Sequence, residues 1–164
     1  MSSHPIFAVD VSDNAQLLLT PCPGTKGVDL STSIQQLCYK NSPALITLMT
    51  KQELADNDLS DLPKTSVTHD MQWFHLPLAD DTVPDEEWEA QFQTLLPRFL
   101  QLLNNGMNLT IHCKGGSGRT GLLAARIMLA MGFELDDAIS KIKAVRPNAF
   151  TVPAQQTYIQ QFAK

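Results

Sequence analysis

The stretch His112-Cys113-Lys114-Gly115-Gly116-Ser117-Gly118-Arg119-Thr120-Gly121 leaves this chain few folds to choose from. Before it, Asn108 to His112 reads as a strand. After it, Arg119 to Met131 is apolar nearly all round, which marks a central, buried helix. A strand that ends in a cysteine, turns through glycines and enters a buried helix belongs in the middle of an α/β domain.

The rest of the chain agrees. Ile6 to Val11 and Gln16 to Thr20 are short strand candidates around the turn-forming Ser12-Asp13-Asn14, and Pro21 to Gly24 reads as a loop. Ser31 to Tyr39 suits a helix, and the apolar run Ala44 to Met49 a buried strand. Thr50 with Glu53 three residues on reads as a capping box opening a short helix. Gln72 to Leu76 is a further strand. Trp88, Phe92, Leu95, Leu96, Phe99, Leu102 and Leu103 fall at helical steps, with Thr82, Pro84 and the acids Asp85 to Glu87 at the start and Gly106 at the end. Pro97 is expected to kink or split that helix. Leu135 to Val145 and Pro153 to Phe162 are the last two helix candidates. The expectation is a central, mixed but mostly parallel sheet flanked by helices, in one domain spanning 1–164.

Composition narrows the function. The formal net charge of −5 argues against nucleic acid or an anionic membrane as the main partner. Cysteines stand at 22, 38 and 113, with no CxxC pair and no zinc-like spacing. A reducing compartment follows. The N-terminus lacks the pattern of a signal peptide, and the apolar stretch Leu122 to Phe133 contains Arg126 and is too short to span a bilayer. The expected location is the cytoplasm.

The loop itself carries chemistry. Glycines let main-chain N–H groups converge into an anion nest, and the start of the following helix adds positive potential. Arg119 suits a planar, bidentate grip on two phosphate oxygens. Such sites turn a cysteine into a thiolate, and a thiolate facing bound phosphate is a nucleophile in line with phosphorus. A lone cysteine is usually a small core residue and a glycine loop usually a turn. The combination of cysteine, glycines, arginine and helix removes that bland reading. The sequence GGSGRTG lacks the Lys-Ser/Thr pair of a nucleotide-binding loop.

HCKGGSGRTG resembles the signature of the protein tyrosine and dual-specificity phosphatases, in which Cys and Arg flank five residues. Cys22 to Lys26, Thr50 to Leu54, Pro77 to Asp80 and Thr82 to Asp85 look like the cyclin-dependent kinase-associated phosphatase family (cyclin-dependent kinase inhibitor 3 family). Arg146-Pro147 and Val152 to Gln155 are similar to segments of related dual-specificity and lipid phosphatases. The resemblance implies the cysteine-phosphatase fold and assigns roles. Cys113 attacks and becomes phosphocysteine. The N–H groups of Lys114, Gly115, Gly116, Ser117, Gly118 and Arg119, with the Arg119 side chain, hold the phosphoryl oxygens. Thr120 supports departure of the sulfur, and His112 packs behind the cysteine. No metal or other cofactor is implied, because the loop supplies the positive field.

The same resemblance places the general acid at Asp80, with Asp81 as the alternative. Asp81, Asp85, Glu86, Glu87 and Glu89 are expected to be a solvated helix start. Lys114 either attracts anionic substrates or is an exposed loop lysine. Gln155 is the candidate for positioning water, and Gln156 its rival. Some relatives carry a second cysteine on the strand before Thr50. Here that strand reads Thr47-Leu48-Met49, and methionine forms no disulfide. Ser117 stands where lipid-specific members carry a second lysine, which favours a phosphorylated protein substrate. A small dual-specificity protein phosphatase is therefore expected. A phosphoinositide or other non-protein phosphatase, a non-catalytic phospho-residue binding module and, more weakly, a sulfurtransferase are the alternatives.

Overall fold

The structure, a computed structural model, describes residues 3–163. Its strands are β1 (Phe7–Asp10), β2 (Gln16–Thr20), β3 (Ala44–Thr47), β4 (Gln72–His75) and β5 (Leu109–His112). They form one sheet in the order β1-β2-β5-β3-β4. Only β1 runs antiparallel to its neighbour, so the sheet is mixed and mostly parallel, as expected. The β1–β2 turn is held by Ser12, whose Oγ accepts the N–H of Ala15 at 3.0 Å. All four residues of β5, Leu109-Thr110-Ile111-His112, are buried, so the polar Thr110 and His112 sit inside the domain and find partners there, in Ser42 and Thr47.

Helices cover both faces. Those on one side are α1 (Leu30–Tyr39), α2 (Lys51–Asp56) and α3 (Leu62–Thr68). On the other lie α4 (Glu86–Asn104), α5 (Gly118–Ala130), α6 (Leu135–Val145) and α7 (Pro153–Gln160). Side chains of β3 alternate between the two cores. Leu45 joins Ile34, Leu37 and Leu62, whereas Ile46 joins Phe99, Ile111 and Leu122. The residues of α5 from Arg119 to Met128 are all buried. Each of its large aliphatic side chains contributes roughly 1.5–3 kcal/mol by leaving water, so this helix is a rigid base for the loop before it.

Three details differ from the sequence reading. First, α4 runs unbroken through Pro97. Pro97 and Gln93 both face solvent, so the carbonyl that loses its donor can turn to water, while Trp88, Phe92, Phe99, Leu102 and Leu103 pin the opposite face. Second, α3 has no counterpart in the sequence reading. It is short, has Pro63 in its first turn, and ties Ser66 Oγ to the Leu62 carbonyl at 2.8 Å. Third, β3 ends at Thr47 rather than Met49.

The topology marks a place for a site. β5 lies between β2 and β3, and the chain leaves those two strands before returning to the centre. In open α/β sheets ligands settle beyond the carboxyl ends of strands at such a reversal. Cys113 follows the end of β5 directly.

Candidate active site

Cys113 is 4% exposed. Its Sγ accepts two hydrogen bonds, from the Gly116 N–H at 3.2 Å and from Thr120 Oγ1 at 3.0 Å. The first comes from the loop, the second from the first turn of α5. The loop closes over β2, where the Cys22 N–H donates to the Lys114 carbonyl at 2.9 Å. Gly116 has φ +79°, and a Cβ there would stand 2.6 Å from Pro21 N and from the Thr20 carbonyl carbon. Only glycine fits this close approach of two backbones. Gly115 is exposed, with open space where a Cβ would stand, and Lys114 is exposed to solvent. Ser117 caps α5 without a side-chain bond, its carbonyl accepting the Gly121 N–H at 2.7 Å.

Arg119 lies in the first turn of α5 and is 2% exposed. The sequence reading gave its bidentate grip to phosphate. In the structure that grip is on Glu53, with Nη1 donating to Oε1 at 2.7 Å and Nη2 to Oε2 at 2.9 Å. Nη1 also donates to the Leu78 carbonyl at 2.8 Å. Nε makes no hydrogen bond among the described residues and lies 3.5 Å from Asp80 Oδ1. Burial opposes the charge of Glu53, but hydrogen bonds from Arg119 and Thr50 overcome it and hold its carboxyl below the ordinary range. Glu53 also completes the capping box of α2, with its Oε1 accepting the Thr50 N–H at 3.1 Å. The sequence reading saw only that local role. Nothing in the spacing announced a partner far along the chain.

Asp80 and Asp81 both lie on the exposed loop after β4. Asp80 faces Arg119, whereas Asp81 adopts φ +59° and donates its N–H to Asp80 Oδ1 at 3.0 Å. The arrangement brings Asp80, not Asp81, to the loop arginine. The expected solvated start of α4 holds for Asp81, Asp85, Glu86 and Glu87, which are exposed. Asp85 also caps the helix by accepting the Trp88 N–H at 2.9 Å. Glu89 is a correction. It is only partly exposed, bonds Tyr158 Oη, and pairs with Arg126 Nη1 at 2.5 Å. Although still in the first turn of α4, it lies on the side that faces Arg126 of α5.

His112 is fully buried, and burial lowers its pKa to about 4, so the ring is neutral. Its Nδ1 meets the Cys113 carbonyl at 3.0 Å, which is acceptor only, so Nδ1 donates. Nε2 is then the acceptor for Thr47 Oγ1 at 2.7 Å, and that oxygen accepts the Trp73 indole N–H at 2.8 Å. A relay thus runs from β4 through β3 to the backbone of the cysteine. The sequence reading placed His112 there but missed Thr47 and Trp73, which only the strand register brings together.

Gln155, on α7, is 1% exposed and its Oε1 has no hydrogen-bond partner among the described residues. A Cβ at Gly118 would lie 3.3 Å from both polar atoms of its amide, so that glycine admits Gln155 to the edge of the loop. Gln156 instead donates to the Phe150 carbonyl at 2.6 Å. All three cysteines are free thiols. Burial, then the neighbouring Cys113, pushes the Cys22 thiol up to about 12, so Cys22 is no rival nucleophile. Among the described residues no helix is long and apolar enough to cross a membrane.

A strand, a cysteine loop with an arginine and a buried helix, served by an aspartate from a separate loop, define the cysteine-dependent phosphatases as a class. The family model described as Swiss Army Knife protein, DSP-PTPase phosphatase domain matches residues 26–157, and the chain belongs to that family. Among curated relatives, cyclin-dependent kinase inhibitor 3 of Rattus norvegicus is 26% identical over 88% of this chain and 70% of its own length. Tyrosine-protein phosphatase CDC14 of Candida albicans is 28% identical over 60% of this chain and 17% of its own length. This chain spans less than a third of the first curated relatives it matches, with shares of 29%, 17% and 16%. The fold is that of kinase associated phosphatase, a solved structure superposing with TM-score 0.87 at 23% identity over 99% of this chain and 95% of that one. A crystal structure of PTPMT1 in complex with PI(5)P is similar at TM-score 0.73 and 18% identity, covering 95% and 94%.

Proposed function

We propose that this chain is a protein phosphatase that hydrolyses phosphotyrosine, and with it phosphoserine and phosphothreonine, through a phosphocysteine intermediate. The observation that carries the reading is the Cys113 sulfur, which receives the Gly116 N–H and the Thr120 hydroxyl while Arg119 and Asp80 stand together at the same loop. In the first step the Cys113 thiolate attacks phosphorus, the S–P bond forms and the P–O ester bond breaks. Asp80, protonated, gives its proton to the leaving oxygen. The N–H groups of residues 114–119 and the Arg119 guanidinium, whose Nε has no hydrogen-bond partner among the described residues, take the equatorial oxygens. In the second step water attacks phosphorus, Asp80 accepts its proton, and the S–P bond breaks. Thr120 Oγ1 steadies the departing thiolate, Gln155 holds the water, and inorganic phosphate leaves.

The test is hydrolysis of p-nitrophenyl phosphate by the purified chain. Cys113→Ser abolishes turnover, and Asp80→Asn lowers kcat by roughly a hundredfold or more at neutral pH. Full activity in Cys113→Ser would defeat the mechanism, and a normal kcat in Asp80→Asn together with a loss in Asp81→Asn would transfer the acid to Asp81. A phosphorylated protein in the cytoplasm is the proposed substrate. The exposed Lys114 beside the nucleophile supports a second reading, in which the substrate is a phosphoinositide. A panel of phosphopeptides and phosphoinositides separates the two by kcat/KM.

A further inference from the structure

We propose that Arg146 is a positioning residue for Cys113, acting through one peptide plane of the loop. The inference deepens the phosphatase reading and rests on it. Arg146 follows the last residue of α6. Its Nη2 donates to the Gly115 carbonyl at 2.6 Å and its Nε to the Gly116 carbonyl at 3.1 Å. The guanidinium lies over the Phe7 ring of β1, 4.2 Å from its centre.

The Gly115 carbonyl and the Gly116 N–H belong to one planar, trans peptide and point in opposite directions. Arg146 holds the carbonyl end outward. The N–H end therefore faces inward, where it donates to Cys113 Sγ at 3.2 Å. The Gly116 carbonyl, held by Nε, fixes the next plane in the same way, and that plane carries the Ser117 N–H. The loop cannot secure these planes itself. Gly115 and Gly116 have no side chains to resist a peptide flip, and the contact of Gly116 with Thr20 and Pro21 forbids adding one. The glycines that make the cradle possible also make it floppy, and an arginine from outside the loop supplies the missing stiffness. The stack on Phe7 in turn limits where the guanidinium can go.

Alkylation of Cys113 by neutral iodoacetamide, followed against pH by mass spectrometry, reads the sulfur without needing turnover. Arg119 and Cys22 also act electrostatically on Cys113, and both are unchanged in the variants. Arg146→Met is expected to move the alkylation midpoint upward by about half to one pH unit, the effect of weakening one hydrogen bond to the thiolate. In the same variant kcat for p-nitrophenyl phosphate falls by roughly three- to tenfold with little change in KM. Arg146→Lys, which can reach one carbonyl at most, is expected to fall between the two. An unchanged midpoint overturns the proposal, and a raised KM with an unchanged midpoint assigns Arg146 to substrate contact instead. If Arg146→Met does not remain folded, Arg146→Lys decides, an upward midpoint supporting the proposal and an unchanged one overturning it. Absence of hydrolysis by the wild-type chain would defeat the phosphatase reading, while the alkylation profile would still judge the clamp.

Discussion

Helix α5 carries two arginines, Arg119 and Arg126, two turns apart and exposed by only 2% and 7%. Each pairs with a glutamate from another helix, Arg119 with Glu53 and Arg126 with Glu89. There the likeness ends. Arg126 is enclosed by structural partners, with Nη1 donating to both Glu89 Oε1 and Tyr158 Oη at 2.5 Å and its guanidinium 4.8 and 3.9 Å from the centres of the Phe92 and Phe162 rings. It ties α4, α5 and α7 into one block. Among the described residues Arg119 keeps its Nε without a hydrogen bond, 3.5 Å from the exposed Asp80 carboxylate. A buried arginine locked between rings and helices is structure, and one whose sealed donor faces an exposed aspartate beside a cysteine loop is a candidate site.

Three substitutions put that contrast at risk. Arg119→Lys is expected to lower kcat for p-nitrophenyl phosphate by about a hundredfold to a thousandfold, because an ammonium cannot reproduce the planar fork, while thermal melting moves little. Retained turnover would deny Arg119 its place at the phosphate. Arg126→Met is expected to do the reverse. Urea unfolding should show a loss of about 2–3 kcal/mol, less than for a fully sealed pair because Glu89 is 29% exposed, with kcat of the folded protein within about threefold. A collapse of kcat without loss of stability would erase the distinction. The smallest effects come from the partners. Glu53→Gln keeps the length and the cap on Thr50 but drops the charge, and kcat/KM should fall about tenfold. Glu89→Gln should cost about 1 kcal/mol and leave kcat/KM within about twofold. If the two glutamates respond alike, the division of labour along α5 is wrong.

The same pair shows what a sequence reveals. The loop from His112 to Gly121 was legible because its parts are contiguous, and a cysteine, glycines and an arginine at that spacing leave one geometry open. A central sheet with helices packed on it was legible in the apolar runs and the helical steps between them, whereas the strand order was not. Glu53 was not legible as the partner of Arg119. Its local pattern was already accounted for by the capping box, and a residue that satisfies one explanation hides a second. Glu89 was read as solvated since an acid near a helix start normally is, and only the crossing of α4 over α5 turns it inward. Pro97 misled for a related reason, because a proline on the wet side of a well-packed helix leaves its stranded carbonyl to water. The helix α3, Leu62-Pro63-Lys64-Thr65-Ser66-Val67-Thr68, lacks the apolar periodicity by which a helix shows in a sequence.

The relay behind the cysteine has a practical side. The chain holds two tryptophans. Trp88 donates its indole N–H to the Leu76 carbonyl at the entrance to the aspartate loop, and Trp73 donates to Thr47, whose hydroxyl holds His112. The two tryptophans thus stand on opposite arms of the same candidate site, one leading to the Asp80 loop and one to Cys113. Replacing either with phenylalanine isolates the emission of the other, and the protein becomes a label-free optical sensor of which arm moves when an anion such as vanadate enters the cradle.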